Sequence, residues 1–158
     1  MNSESTIEID APAPAVWAVF ADVERWPDWT ASVDRVTALD GAGIEVGRRF
    51  EIEQPRLPRL VWEVTEVVPG TGWTWRQHSP GTTSLAVHEI VATGAERTLV
   101  RQRITQHGPL GAVSGVLMRR LIRRYLRLEG EGLKARVEHE HHSHGNGAHG
   151  NGADVASA

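Results

Sequence analysis

"LGAVSGVLMRRLIRRYLRLEGEGLKARVE", residues 110–138, is the stretch whose reading decides the fold. Leu110, Val113, Leu117, Leu121, Tyr125 and Leu128 recur every three or four positions, the spacing of one face of a helix. Arg119, Arg120, Arg123, Arg124 and Arg127 fall largely off that row, so the spacing predicts one long amphipathic helix with its arginines in solvent. Gly130 and Gly132 weaken such a helix, and nothing local in the sequence explains them.

Upstream of this helix the period changes from 3.6 to two. "STIEID" reads as a first strand. "APAPAVWAVFADVERW" keeps its prolines at the start and places Val16, Trp17 and Phe20 at helical spacing, with Asp10 expected as the cap. Pro27 ends or bends the next turn, which leaves residues 23–30 as a second short helical link. Six alternating runs follow up to about residue 106, separated by "DGAG", "PRLP", "PGTG", "SPGT" and "ATGAE". These are turn residues, and connections this short join antiparallel neighbours. The fold class is therefore α+β: an antiparallel sheet wrapped around a long C-terminal helix, with two short helices near the N-terminus.

Alternation also sorts the faces of the sheet. Phe50, Ile52 and Gln54 share a side with Trp62 and Val64, with Trp73, Trp75 and Gln77, with Ala86, His88 and Ile90, and with Val100, Gln102 and Ile104. The residues between them are mostly charged or polar, so this set faces the helix. Gln54, Gln77, His88 and Gln102 would each need a partner in a dry core, since an unsatisfied buried polar group costs about 1–3 kcal/mol. A cavity holding water or a ligand would supply one, and so would neighbouring protein groups.

The totals set outer bounds. A chain of 158 residues makes one domain and buries about 68–70% of its unfolded surface. Its 17 basic and 20 acidic residues, a formal charge of -3, give no electrostatic reason to bind nucleic acid. With no cysteine there is no disulfide, no thiolate ligation and no cysteine nucleophile, which fits a reducing cytoplasm. "MNSESTIEID" carries acids and hydroxyls where a signal peptide needs a basic start and an apolar run, and no segment has the apolar length of a membrane span. A cytoplasmic protein is expected.

Near residue 139 the composition shifts to "HEHHSHGNGAHGNGADVASA", which cannot bury enough surface to offset chain entropy. The expected boundaries are a domain at 1–138 and a disordered His/Gly-rich tail at 139–158. His139, His141, His142, His144 and His149 have imidazoles that bind transition metals. A flexible cluster lacks the supporting partners of a built site, so adventitious capture or simple solubilisation is the preferred reading.

"IEIDAPAPAVWAVFADVERWPDWT", "VGRRFEIEQPRLPRLVWEVTEVVPGTGWTWRQHSPG", "VHEI" and "RITQHGPLG", with "RRYLRLEGEGLKARVE" after them, resemble the START-like helix-grip superfamily. The similarity is to its polyketide cyclase/dehydrase-like (SRPBCC) branch and covers about residues 3–138. It implies a sheet gripping a long helix, a deep apolar cavity between them, and the short helices at its mouth. Lined by the inward set, that cavity would bind a lipid, an isoprenoid or an aromatic polyketide through Trp26, Trp29, Phe50, Ile52, Gln54, Trp62, Trp75, Gln77, His88, Gln102, Leu117 and Tyr125. Trp26 and Trp29 would either close the core or form the entrance.

An enzyme of the cyclase or dehydratase type is the alternative, with His88 carrying protons and Gln77, an arginine or Tyr125 orienting a carbonyl. A protein-interaction module using an apolar rim or the arginine-rich helix is a third. The chain has no G-x-S-x-G elbow, H-E-x-x-H, phosphate loop or dinucleotide fingerprint, so no cofactor is expected. "GPLGAVSG" is glycine-rich but lacks the lysine of a phosphate loop.

Overall fold

β1 (Asn2–Ile9) opens the chain with Ser3 and Ile9 buried on one face. It leads into α1 (Ala13–Phe20), which begins at Pro12, carries Pro14 in its first turn and buries Val16 and Phe20 one turn apart. Asp10 does not cap this helix. Its backbone N–H donates to Glu138 Oε1 at 2.9 Å, and its carboxylate lies 3.7 Å from Arg97, so contacts with distant residues replace the expected local one. A 3₁₀ helix at Val23–Asp28 contains Pro27 and buries Val23 and Trp26.

Six further strands follow: β2 (Arg35–Ala38), β3 (Arg49–Glu53), β4 (Leu60–Val68), β5 (Gly72–Ser79), β6 (Thr82–Gly94) and β7 (Arg97–His107). They form one antiparallel sheet in the order β1-β7-β6-β5-β4-β3-β2. The long helix α2 (Gly115–Asn146) completes the chain. This computed structural model describes residues 1–108 and 115–146, with the side chains of 115, 116 and 144–146 excepted. Leu110 and Val113, expected at the start of the helix, lie outside the described residues.

The faces of the sheet follow the alternation. Phe50, Trp62, Val64, Trp73, Trp75, Ala86, Ile90 and Val100 are buried toward α2, and ion pairs such as Arg76–Glu63 and Arg101–Glu89 occupy the other side. In β4 the register against β5 shifts between Val64 and Glu66, so the buried alternation of Trp62 and Val64 passes to a half-buried Val67.

The inward row of α2 is not the expected one. Ile122, Tyr125, Leu126, Glu129, Leu133 and Val137 are buried, whereas Leu121 and Leu128 are half-buried and Leu117 is 80% exposed. The cause is the contact between α2 and the rest of the chain. A Cβ on Gly132 would stand 2.2 Å from the Trp29 carbonyl oxygen, and one on Gly130 would stand 3.5 Å from Ile7. Bare backbone at 132 brings the helix against the Trp29 segment and fixes its rotation. The helix also continues past 138, so His139, His141 and His142 are helical where a disordered tail was expected. No described helix is long and apolar enough to cross a membrane.

Candidate functional site

α2 packs along β1 and α1 and stands off the central strands, which leaves space between helix and sheet. The larger part is a cavity of about 260 Å³. Its walls are Leu57 and Pro58 before β4, Leu60 and Trp62 on β4, Pro80 between β5 and β6, Ile104 on β7, and Met118, Ile122, Tyr125 and Leu126 on α2. A smaller chamber of about 40 Å³ continues inward between Trp26, Ile52, Trp75, His88 and Leu126. Gln54, Trp62, Ile104, Leu126 and Glu129 line both.

The wide chamber lies where the β3–β4 and β5–β6 connections meet the first described turns of α2, at the end of the sheet away from α1. The short helices close the other end. Trp26 is buried, its ring lies 5.6 Å from Phe20 and nearly parallel to it, and its indole N–H donates to the Phe20 carbonyl at 2.9 Å. Both its apolar body and its single donor are committed to the core, so Trp26 is a plug that lines only the inner chamber. Trp29 packs on Gly132 and lines neither chamber.

The remaining expected residues divide by depth. Gln54, Trp62, Gln77 and Tyr125 line the wide chamber, and Ile52, Trp75 and His88 line the inner one. Phe50 belongs to the solid core beneath Trp75. Leu117 points to solvent because of the helix rotation and takes no part. The glutamines find protein partners: Gln54 Nε2 donates to the Ser32 carbonyl at 3.1 Å, Gln77 Nε2 to Ser79 Oγ, and Gln102 Nε2 to Glu129 Oε2 at 2.7 Å. The Tyr125 hydroxyl donates to the Pro55 carbonyl.

His88 sits in an aromatic box. Its ring stacks on Trp73 at 4.3 Å, with Phe20, Trp26 and Trp75 within 5.8 Å. Burial lowers its pKa to about 3, against a smaller opposing effect of the Trp73 backbone, and its Nδ1 has no hydrogen-bond partner among the described residues. A ring held neutral this firmly is a poor proton carrier near neutral pH and suits a lining role.

Sequence reasoning missed Glu129. It is buried on the inner side of α2, where Ser32 Oγ donates to Oε1 at 3.1 Å and Gln102 Nε2 to Oε2. Thr30 Oγ1 lies 2.9 Å from Ser32 Oγ and extends the chain of hydrogen bonds. Burial raises the Glu129 pKa to about 7, and the two donors oppose that rise without cancelling it. The only sequence signal was an acid one turn beyond Tyr125 and Leu126, at i+4 and i+3, on a row otherwise apolar.

The described histidine side chains of the C-terminal segment do not converge. His141 Nε2 lies 2.7 Å from Glu96, and His142 Nδ1 lies 2.6 Å from the Glu138 carbonyl. Among the described residues no three His, Cys, Asp or Glu side chains gather as metal ligands. The His144 side chain and His149 lie outside that set.

The sheet-and-helix grip with a cavity between its layers agrees with comparison against known families. Residues 2–138 match the family model described as polyketide cyclase / dehydrase and lipid transport. The chain belongs to this family. Among solved structures, a START superfamily protein from Mycobacterium smegmatis shares 19% identity at a TM-score of 0.72, over 88% of this chain and 98% of that one. The XoxI protein from Bacillus cereus shares 16% identity at a TM-score of 0.72, over 86% and 94%. The di-domain ARO/CYC BexL of the BE-7585A biosynthetic pathway shares 20% at a TM-score of 0.69, over 87% of this chain and 46% of the di-domain chain. A comparison with curated proteins matches none. Family and fold together fit a hydrophobic-ligand binder or a cyclase-type member of the polyketide cyclase/dehydrase group.

Proposed function

We propose that this protein binds a hydrophobic small molecule in the space between α2 and the sheet. The observation that carries the reading is the cavity of about 260 Å³, whose walls are aliphatic and aromatic with a few convergent polar groups. Such a cavity removes apolar surface of a guest from water at about 25 cal/mol per Å², and the polar groups orient it. Trp62 lines both chambers and reports occupancy. Titration with decanol, followed by tryptophan emission, is expected to give a saturable change that Trp62→Phe largely removes and Ile122→Trp blocks by filling the space. A linear response identical in all three proteins would rule out binding there.

One observation favours a second reading, a cyclase or dehydratase. Glu129 reaches both chambers with a pKa near 7, the range in which a carboxyl both gives and takes a proton. The family description and the ARO/CYC relative point to the same chemistry. In this reading Glu129 carries the proton, and His88 shapes the inner wall.

A further inference from the structure

Among the described residues Glu129 is the single carboxylate on the wall of either chamber, and no lysine or arginine lines them. It is 6% exposed, and both oxygens are held by donors on other segments, Ser32 ahead of β2 and Gln102 on β7. The carboxyl is therefore fixed in place at the junction of the two chambers, where the polar end of a guest would meet it.

We infer that Glu129 makes the cavity select uncharged apolar molecules bearing a hydroxyl or carbonyl over apolar anions. This rests on the reading of the cavity as a binding site. A hydroxyl fits Glu129 in either protonation state, accepting from the acid or donating to the carboxylate, and a carbonyl accepts from the acid. An anionic guest would bring a second negative charge beside Glu129, and the nearest cations on the wide chamber's side, Arg56 and Arg124, act on the Tyr125 hydroxyl and are not among the residues lining either chamber.

The groups around Glu129 do not change this. His88 on β6 is uncharged, and Tyr125 on α2 is hydrogen-bonded to the Pro55 carbonyl. The neighbouring residues just after β3, on β4, β5 and β7, and in the segment before β2 are Gln54, Trp62, Trp75, Gln102 and Ser32, none of which titrates. Discrimination should therefore follow the ionisation of Glu129, stronger above its pKa than below.

The test is calorimetric titration of the full chain with decanol, decanoate and decanesulfonate, the last remaining ionised throughout. At about pH 8 decanol is expected to bind at least about tenfold tighter than either anion, one pKa unit's worth of interaction. Glu129→Gln is expected to raise anion affinity about tenfold, so that the preference for decanol over either anion falls by about that factor. In the wild type the gap between decanol and decanesulfonate should narrow at about pH 6, which decides the matter even if the variant does not fold. Decanol and anions binding alike, or a gap that survives both Glu129→Gln and the lower pH, overturns the selectivity and leaves the binding site standing. No binding of decanol removes both.

Discussion

Glu129 and His88 line the same inner chamber, one from the helix and one from the sheet, and burial moves their pKa values in opposite directions. Glu129 rises from 4.5 to about 7, so the folded state holds its proton more tightly than the unfolded chain. Its contribution to stability, about 3 kcal/mol, is present below pH 4.5 and lost as pH rises through 7. His88 falls from 6.5 to about 3, so its contribution is present above pH 6.5 and lost as pH falls through 3. Between 4.5 and 6.5 the two slopes oppose each other. Glu129→Gln removes one of them, so the variant's stability in chemical denaturation should climb with pH across that window while the wild type stays flatter. Parallel profiles would show that Glu129 titrates as an ordinary surface acid. His88 was legible from alternation on its strand. Glu129 was not, because the donors that hold it come from residues 97 and 27 positions away in the chain.

At the level of the element, α2 shows how two glycines of one helix differ. Gly130 faces Ile7 at ordinary contact distance, so Gly130→Ala should be neutral or gain up to about 1 kcal/mol from helix propensity. Gly132 faces the Trp29 backbone with no room for a methyl group, so Gly132→Ala should cost about 1–3 kcal/mol or more as the helix is pushed outward. Thermal or chemical unfolding of the two variants checks the pair, and equal stabilities would mean that Gly132 does not set the helix position. The periodicity of 110–138 identified the element correctly and its rotation incorrectly. Leu117, Leu121, Tyr125 and Leu128 and the observed row of Ile122, Tyr125, Leu126 and Leu133 are both plausible apolar stripes. The backbone approach at Gly132, together with the hydrogen bonds of Glu129, selects the second.

For the molecule as a whole, the order of the sheet sets a gradient of protection. β5 and β6 are paired on both sides, whereas β2 is a four-residue edge strand. Amide hydrogen exchange should be slowest in β5 and β6 and fastest in β2, and a protected β2 would indicate that something covers that edge. The strands, the antiparallel succession from β2 to β7 and the face most strand residues take were determined by the sequence itself, because turn residues and two-residue alternation act over a few positions. So were the presence and polarity of the long helix. The pairing of β1 with β7, in contrast, joins segments far apart in the chain and was decided by tertiary structure. Which end of the sheet carries the wide chamber, which row of α2 faces it, that Trp26 is a plug and that Glu129 is the acid within were decided only by tertiary structure. Each depends on how far a backbone can approach a distant segment and on partners far away in the chain, quantities that no local pattern encodes.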